Sequence, residues 1–328
     1  MLRWFAGAFS FVLVLVLAAV WLGVELRRPG PLAEDKTIVI QRGAGVGSIG
    51  HTLAEAGVVR AALLFELAAG LARFRGEHQM RAGEYVFAKG ESVLGIVEQM
   101  LHGRTLVHRF SVIEGVTVAQ VVTALRAEPA LAGEIAEVPE DGSLLPDTYH
   151  FSLGDGRAAL LQRMHAAMTA TIADLWSGRA VGLPLETQGA AVVLASIVEK
   201  ETAQPGERAR IAGVFYNRLA SGMRLQSDPT VIYALTGGKG PLGRPLSQAD
   251  WHVDSPFNTY QIDGLPPKPI GNPGRASLSA VLNPERHEFL YFVADGSGGH
   301  AFAKTLAEHN RNVAHWRQRQ REHEHGGP

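Results

Sequence analysis

The chain has 328 residues, 46% of them hydrophobic, enough for about two domains with a sizeable core and too apolar for a disordered polypeptide. Basic and acidic side chains balance at 31 against 32, so no long-range field draws it to a polyanion and no nucleic-acid partner is expected. The lack of cysteine removes disulfides, thiolate nucleophiles and thiolate metal sites together.

From Trp4 to Val24 there is no charged residue, and Phe, Val, Leu and Ala dominate. A helix needs about 20 such residues to cross the hydrocarbon core. Trp4 and Trp21 sit near the two ends, where amphipathic rings favour the membrane interface. A cleaved signal peptide is the competing reading, yet no small-x-small site follows before Arg27, Arg28 and Pro29. Residues 1–28 are therefore expected to be an uncleaved single-span anchor. Charge does not orient it, because Arg3 on one side is matched by Arg27 and Arg28 on the other.

Residues 29–127 carry a pattern three times over: an alternating strand-like run, a glycine, a Ser or Thr placed to cap a helix (Ser48, Ser92, Thr117), then the helix. This predicts a small α+β region. Its second copy, KGESVLGIVEQM, resembles the glycan-binding LysM module. In the first copy Gly45, Gly47 and Gly50 match the dinucleotide spacing G-x-G-x-x-G, but the acidic residue expected at a second strand end is missing, since Glu66 falls in a helical run. Turn formation and close packing are the better reading of these glycines. The acidic, proline-containing stretch Glu128–Gly142 reads as a connection between domains, and LLPDTYHF follows, with Asp147 in a loop as either a turn residue or an accessory acid.

A second domain is expected over 128–320. Ala158, Leu161, Met164, Met168, Ile172 and Leu175 lie at helical spacing, the methionines as core filler. The next helix, AAVVLASIVEKET, carries one apolar stripe through Val193, Leu194, Ile197 and Val198, and Glu201 continues it. A carboxyl group on a buried face resists ionisation and can hold a proton near neutral pH, which is what a general acid requires; the alternative is the solvated end of a core helix. Glu199, two residues earlier, points about 200° away around the axis and cannot share that site. A further helix begins at Pro205. Beyond Gly222 the chain is rich in Asn, Pro, Gly and Tyr with little periodicity. Long loops of this kind are more often functional than connecting, and amide, hydroxyl and aromatic side chains suit neutral sugars. Phe289–Asp295 and HAFAK, joined by GSGG, read as a hairpin. A polar helix holds His309, Asn310, His315 and Trp316, and 321–328 reads as a flexible tail. Thirteen histidines show no metal-ligand spacing, with His323 and His325 in the tail, so no metal or other cofactor is expected. Ser196 sits among aliphatics in a helix without the turn of a serine hydrolase.

Taken in order, PDTY (146–149), ASIVEKET (195–202), FYNRL (215–219), GMRLQSDPTVIYAL (222–235), FNTY (257–260), GLPPKPIGNPG (264–274), Asn283–Pro284 and LYFVADGSGGHAF (290–302) resemble the endolytic murein transglycosylase, or YceG-like, family. One departure is Asp141-Gly142-Ser143, where the family has Glu-Gly followed by an aromatic or apolar residue. The resemblance implies an α+β protein: an N-terminal transmembrane helix, a small LysM-like subdomain and a mainly helical, lysozyme-like catalytic domain with long loops and a hairpin. It implies one span of the bacterial inner membrane with the enzyme on the periplasmic side, work beside peptidoglycan synthases, and Glu201 as catalytic acid and base on peptidoglycan strands. Gln226, Asp228, Asn258, Tyr260, Asn272 and His300 are then expected in the substrate cleft, and Asp147 and Glu199 are the possible accessory carboxylates. A hydrolytic muramidase and a non-catalytic peptidoglycan-binding scaffold stay open as alternatives.

Overall fold

The uncharged run at the amino terminus forms one helix, α1 (Leu2–Arg27), of which Phe9–Arg27 is long and apolar enough to cross a membrane and is almost wholly exposed. The structure, a computed structural model, describes residues 2–74 and 80–325, with side chains over 9–74 and 80–322. The Trp4 ring, the His323 and His325 side chains and tail residues 326–328 lie outside that description. Helix and strand are mixed, and contacts group the chain into two units: Met1–His108 with Phe151–Gly154, and Arg109–His150 with Asp155–Pro328.

In the first unit β1 (Lys36–Ile40) is followed by α2 (Val46–Glu55), α3 (Ala62–Phe74), β2 (Gly83–Phe87) and α4 (Val93–Leu101). The two strands pair antiparallel, Lys36 opposite Phe87 and Ile40 opposite Gly83. Tyr85 and Phe87 alternate inward from β2 and meet Leu53, Phe65, Ile96 and Met100, all fully buried. Ser92 caps α4 by accepting from the Gly95 N–H at 3.2 Å, as its position predicts. Ser48 does not cap: α2 begins two residues earlier, after Gly45, and Ser48 lies inside its first turn. Gly50 serves close packing, because a Cβ there would stand 3.1 Å from the Ala62 carbonyl of α3.

The second unit contains α5 (Val118–Ala127), which follows β3 (His108–Ser111) and is closed by a full capping box between Thr117 and Gln120. Two short strands come next, β4 (Leu131–Ala132) and β5 (Thr148–Phe151); β3 pairs with β5, and β4 runs parallel to β6 (Asp155–Gly156). Then come α6 (Arg157–Ser177), α7 (Gln188–Glu201), a 3-10 turn at Pro205–Glu207 and α8 (Arg208–Ala220). After them stand α9 (Asp228–Thr236), α10 (Arg275–Leu282), the antiparallel hairpin β7 (Tyr291–Ala294) with β8 (His300–Ala303), and α11 (Leu306–His325).

Helix α7 is the centre of this unit. Thr187 caps it, and Leu194, Ala195, Ile197 and Val198 are fully buried against Ile211, Ala212 and Phe215 of α8 and Leu278 and Val281 of α10. Each of the larger of these side chains contributes about 1.5–3 kcal/mol by leaving water, which outweighs the modest helix propensity of the β-branched members. The packing fixes both the rotation of α7 and the place where it ends. Thr202, extended at φ −143°, terminates it and leaves Glu201 as its last helical residue.

Candidate active site

Glu201 leaves the core at the end of α7, only partly exposed. The Ser227 hydroxyl donates to its Oε1. Ser227 is itself buried and held by the loop carrying FNTY: its N–H donates to Thr259 Oγ1 at 2.9 Å, and Thr230 Oγ1 donates to its carbonyl at 2.6 Å while standing 2.8 Å from Thr259 Oγ1. Gln226, the one non-glycine among the described residues with positive φ (+50°), turns the chain so that Ser227 faces the carboxyl group. That left-handed conformation is disfavoured for a residue with a Cβ, and the Gln226 N–H to Thr259 carbonyl bond (3.1 Å) helps hold it.

Burial pushes the Glu201 carboxyl up to about 7 from its ordinary 4.5. The Ser227 hydrogen bond opposes this by favouring the carboxylate, nearby Asp228 adds to it, and His300 and Arg218 pull it back. Arg218 is buried and held by three carbonyl groups, those of Leu290 and Leu225 at 2.7 Å and Arg224 at 3.4 Å. His300 stands on β8, with Nδ1 2.7 Å from Glu207 Oε2 and its N–H donating to Glu207 Oε1 at 2.8 Å. Burial alone would raise Glu207, but these hydrogen bonds outweigh it and hold that carboxyl low. The site thus has one carboxyl group poised to carry a proton and a second kept charged beside an imidazole.

Asp228 opens α9 and accepts from Tyr260 Oη at 2.7 Å and Trp251 Nε1 at 3.0 Å, with the two rings 5.9 Å apart. Burial and the Asp228 contact raise the Tyr260 phenol, so it remains a donor at neutral pH. Asp228, Tyr260 and His300 are therefore gathered around Glu201, while Gln226 contributes through its backbone, which sets Ser227. Asn258 and Asn272 lie elsewhere in the fabric. Both are fully buried, and their amides are consumed by backbone: Asn258 by the Trp251 and Val253 carbonyls and the Tyr260 N–H, Asn272 by the Val116 carbonyl and the Leu144 N–H. They hold loops in place.

Glu199 faces away from Glu201, as the helical angle requires. Its Oε1 accepts from Arg208 Nη2 at 3.3 Å and its Oε2 from the Gly274 N–H at 2.8 Å, with 4% of the side chain exposed. It ties α7 to α8 and to the start of α10. Asp147 is exposed and turned to its own loop, accepting from the Thr148 N–H at 2.7 Å. A cavity of about 450 Å³ lies beside Glu199, Lys200 and Tyr233, and Glu201 is not in its lining. Asp141 spans the gap between two helices, accepting from the Val118 N–H at 2.6 Å and Tyr233 Oη at 2.7 Å, so the shorter carboxylate does make a complete pair of bonds. Gly142 beside it has φ +80°, and a Cβ there would come 2.5 Å from Pro269.

Sequence reasoning missed Ser227, Arg218, Glu207 and Trp251. Ser227 had a signal, since a Ser before Asp-Pro marks a helix start; Arg218 lies inside the FYNRL segment, while Glu207 had none, because its partner His300 comes from a distant segment.

Residues 38–315 match the YceG-like family. The chain belongs to that family. The endolytic murein transglycosylase of Bacillus subtilis (strain 168) is 30% identical over a 321-residue alignment covering 86% of each chain. That of Streptococcus pneumoniae D39 is 30% identical over 326 residues, and the match takes in 85% of this YceG-like chain and 58% of the longer streptococcal one. A crystal structure of a yceG-like protein from Listeria monocytogenes superposes with a TM-score of 0.51 at 31% identity, over 85% of this chain and 99% of that one.

Proposed function

We propose that this protein is a membrane-anchored endolytic peptidoglycan lytic transglycosylase with Glu201 as its acid and base. The observation that carries the reading is a single carboxyl group at the end of a buried helix, oriented by Ser227 and raised to about 7. Its relatives are named for cleavage of murein. Protonated Glu201 gives its proton to the glycosidic oxygen between N-acetylmuramic acid and N-acetylglucosamine. As a carboxylate it then takes the proton of the muramic acid C6 hydroxyl, whose oxygen closes onto C1 as a 1,6-anhydro ring. The attacking hydroxyl belongs to the substrate, so its effective concentration is high and no water needs activation.

This economy suits the site. A glycosidase that uses water needs a second carboxyl group free to act. Here Asp228 is engaged by Tyr260 and Trp251, Glu199 by Arg208 and Gly274, and Glu207 by His300. Gln226, Trp251 and Tyr260 offer the amide and ring faces that a sugar would meet.

Helix α1 serves as a single inner-membrane span with the catalytic unit on the periplasmic side, where nascent strands are made, and peptidoglycan synthases are the expected neighbours. Cleavage there terminates strand elongation. The β1–α2–α3–β2 order of the first unit, with Ser92 capping α4 in the KGESV segment, supports a LysM-like glycan-binding module. The lysozyme-like description of the second unit rests on its helical core presenting one glutamate at a helix end.

The test is to incubate the full-length protein and its Glu201→Gln variant with purified peptidoglycan and to analyse the products by mass spectrometry. Anhydro ends from the unmodified protein and none from the variant are expected. Reducing ends would make it a muramidase, no cleavage would make it a scaffold, and an active variant would remove Glu201 from the chemistry.

A further inference from the structure

The first unit leaves one face of α3 uncovered. Leu63, Leu67, Leu71 and Phe74 are 62%, 41%, 48% and 95% exposed. At 100° per residue these four fall within about 80° of arc on the helix. The opposite side, Phe65, Ala68, Ala69 and Ala72, is buried in the unit's core. An amphipathic helix normally turns its apolar side inward; α3 is apolar on both sides, and the outer one faces no protein among the described residues.

What lies next to α3 decides the occupant. The candidate span α1 does not end in a free linker. Its last turn is built into this unit: Leu26 is 2% exposed and Leu22 packs beside it. Arg60, two residues before α3 begins, donates to Glu25 Oε1 at 3.2 Å and to the Pro29 carbonyl at 2.8 Å, and the Gly30 N–H donates to the Gly90 carbonyl at 3.1 Å. The start of α3 is thereby pinned at the level where α1 would leave the bilayer. Arg27, Arg28 and Arg60 at that level, with Arg73 in the last turn of α3, add cationic groups that favour anionic headgroups.

We propose that the Leu63–Leu67–Leu71–Phe74 face of α3 is a second membrane contact, lying in the headgroup region of an anionic phospholipid leaflet beside the exit of α1. The inference rests on α1 being an anchor. It gives the first unit two attachments, a span and an interfacial helix, so the unit is held at a fixed height over the bilayer.

The chain contains no cysteine, so single labels are clean. Full-length protein is reconstituted into phosphatidylethanolamine–phosphatidylglycerol vesicles. Spin labels are carried in turn on Leu67→Cys, Leu71→Cys and Phe74→Cys, with Leu15→Cys reporting the span and Val181→Cys, 91% exposed in the second unit, reporting water. Collision with oxygen, which partitions into lipid, is compared with collision with a water-soluble nickel chelate. The oxygen-to-nickel ratio at the three α3 positions is expected at least about threefold above that at Val181, as for an interfacial helix. A Leu63→Glu change should bring the Leu67 label back towards the Val181 value while leaving Leu15 unmoved. Lipid exposure at Leu15 with water-like values on α3 overturns the proposal and keeps the anchor. Water-like values at Leu15 overturn the anchor and the proposal together. Labels on α3 shielded from both reagents would mean that a protein partner or a second copy covers the face, which also overturns it.

Discussion

Replacing Glu201 by Gln should make the protein inactive and, above neutral pH, more stable. The carboxyl titrates at about 7 in the folded protein against 4.5 when free, so between those values the folded chain keeps a proton that the unfolded chain releases. The direction follows: stability is full below about 4.5 and falls as pH rises through about 7. At pH 8 the charging cost is about 3 kcal/mol, and at pH 5 below about 1 kcal/mol. Glutamine has no charge to desolvate and can still accept from Ser227, so the variant escapes the cost. For a domain of this size that is roughly 6–12 °C in Tm at pH 8, shrinking to a few degrees at pH 5. Thermal unfolding of both proteins in the same detergent, followed by circular dichroism at the two pH values, measures it. A Tm difference that does not change with pH would refute the claim that burial holds this carboxyl protonated.

The activity of the unmodified protein should itself decline as pH rises through about 7, when the general acid loses its proton; a pH–rate profile on purified strands shows this limb. Ser227→Ala removes a bond that favours the carboxylate, so the limb should move to higher pH, while kcat/KM at neutral pH drops about tenfold from the lost orientation. A limb that stays in place would detach Ser227 from Glu201. Glu199→Ala leaves Arg208 buried without its main partner and should cost about 3–5 kcal/mol in denaturant unfolding, with the pH–rate limb of the surviving folded enzyme unmoved. Asn272→Ala strands the Leu144 N–H and should cost about 1–3 kcal/mol with affinity for soluble glycan fragments unchanged; weaker binding at full stability would place Asn272 in the cleft after all.

Local patterns were enough to read the elements whose residues interact with neighbours along the chain. Thr117 and Gln120 close a capping box three residues apart, the stripe of α7 repeats every turn, and Tyr291–Ala294 meets His300–Ala303 across one tight turn. Two of the helices beyond Gly222, α9 and α10, were not read, whereas the polar α11 was. Helix α9 has nine residues, begins at Asp-Pro and ends at Gly237 in the left-handed region, so its period is too short to stand out from the loops around it. Helix α10 is only eight residues long, with five of them buried and its exposed residues confined to the start at Arg275 and Ala276, so it shows too few turns for an amphipathic period to register.

The same limit governs the site. Two glutamates stand two residues apart on α7, and the helical angle alone separates their faces. It does not say which face meets solvent chemistry and which meets Arg208. That choice is made by segments far along the chain: Ser277, which accepts from Arg208 Nε at 3.1 Å, and Gly274 fasten Glu199, whereas Ser227, set by the Gln226 turn and the Thr230–Thr259 hydroxyls, reaches Glu201. The loops singled out for their sugar-like composition do carry Ser227 and Asp228 beside Glu201, but two of their three candidate amides, Asn258 and Asn272, serve the loops themselves. A loop without secondary structure must satisfy its backbone groups somehow, and a buried Asn, with an acceptor and two donors, does so for three of them at once. Asn258 and Asn272 therefore belong to the cost of building long loops, whereas Asp228, Tyr260 and His300 beside Glu201 spend their polar side-chain atoms on other side chains.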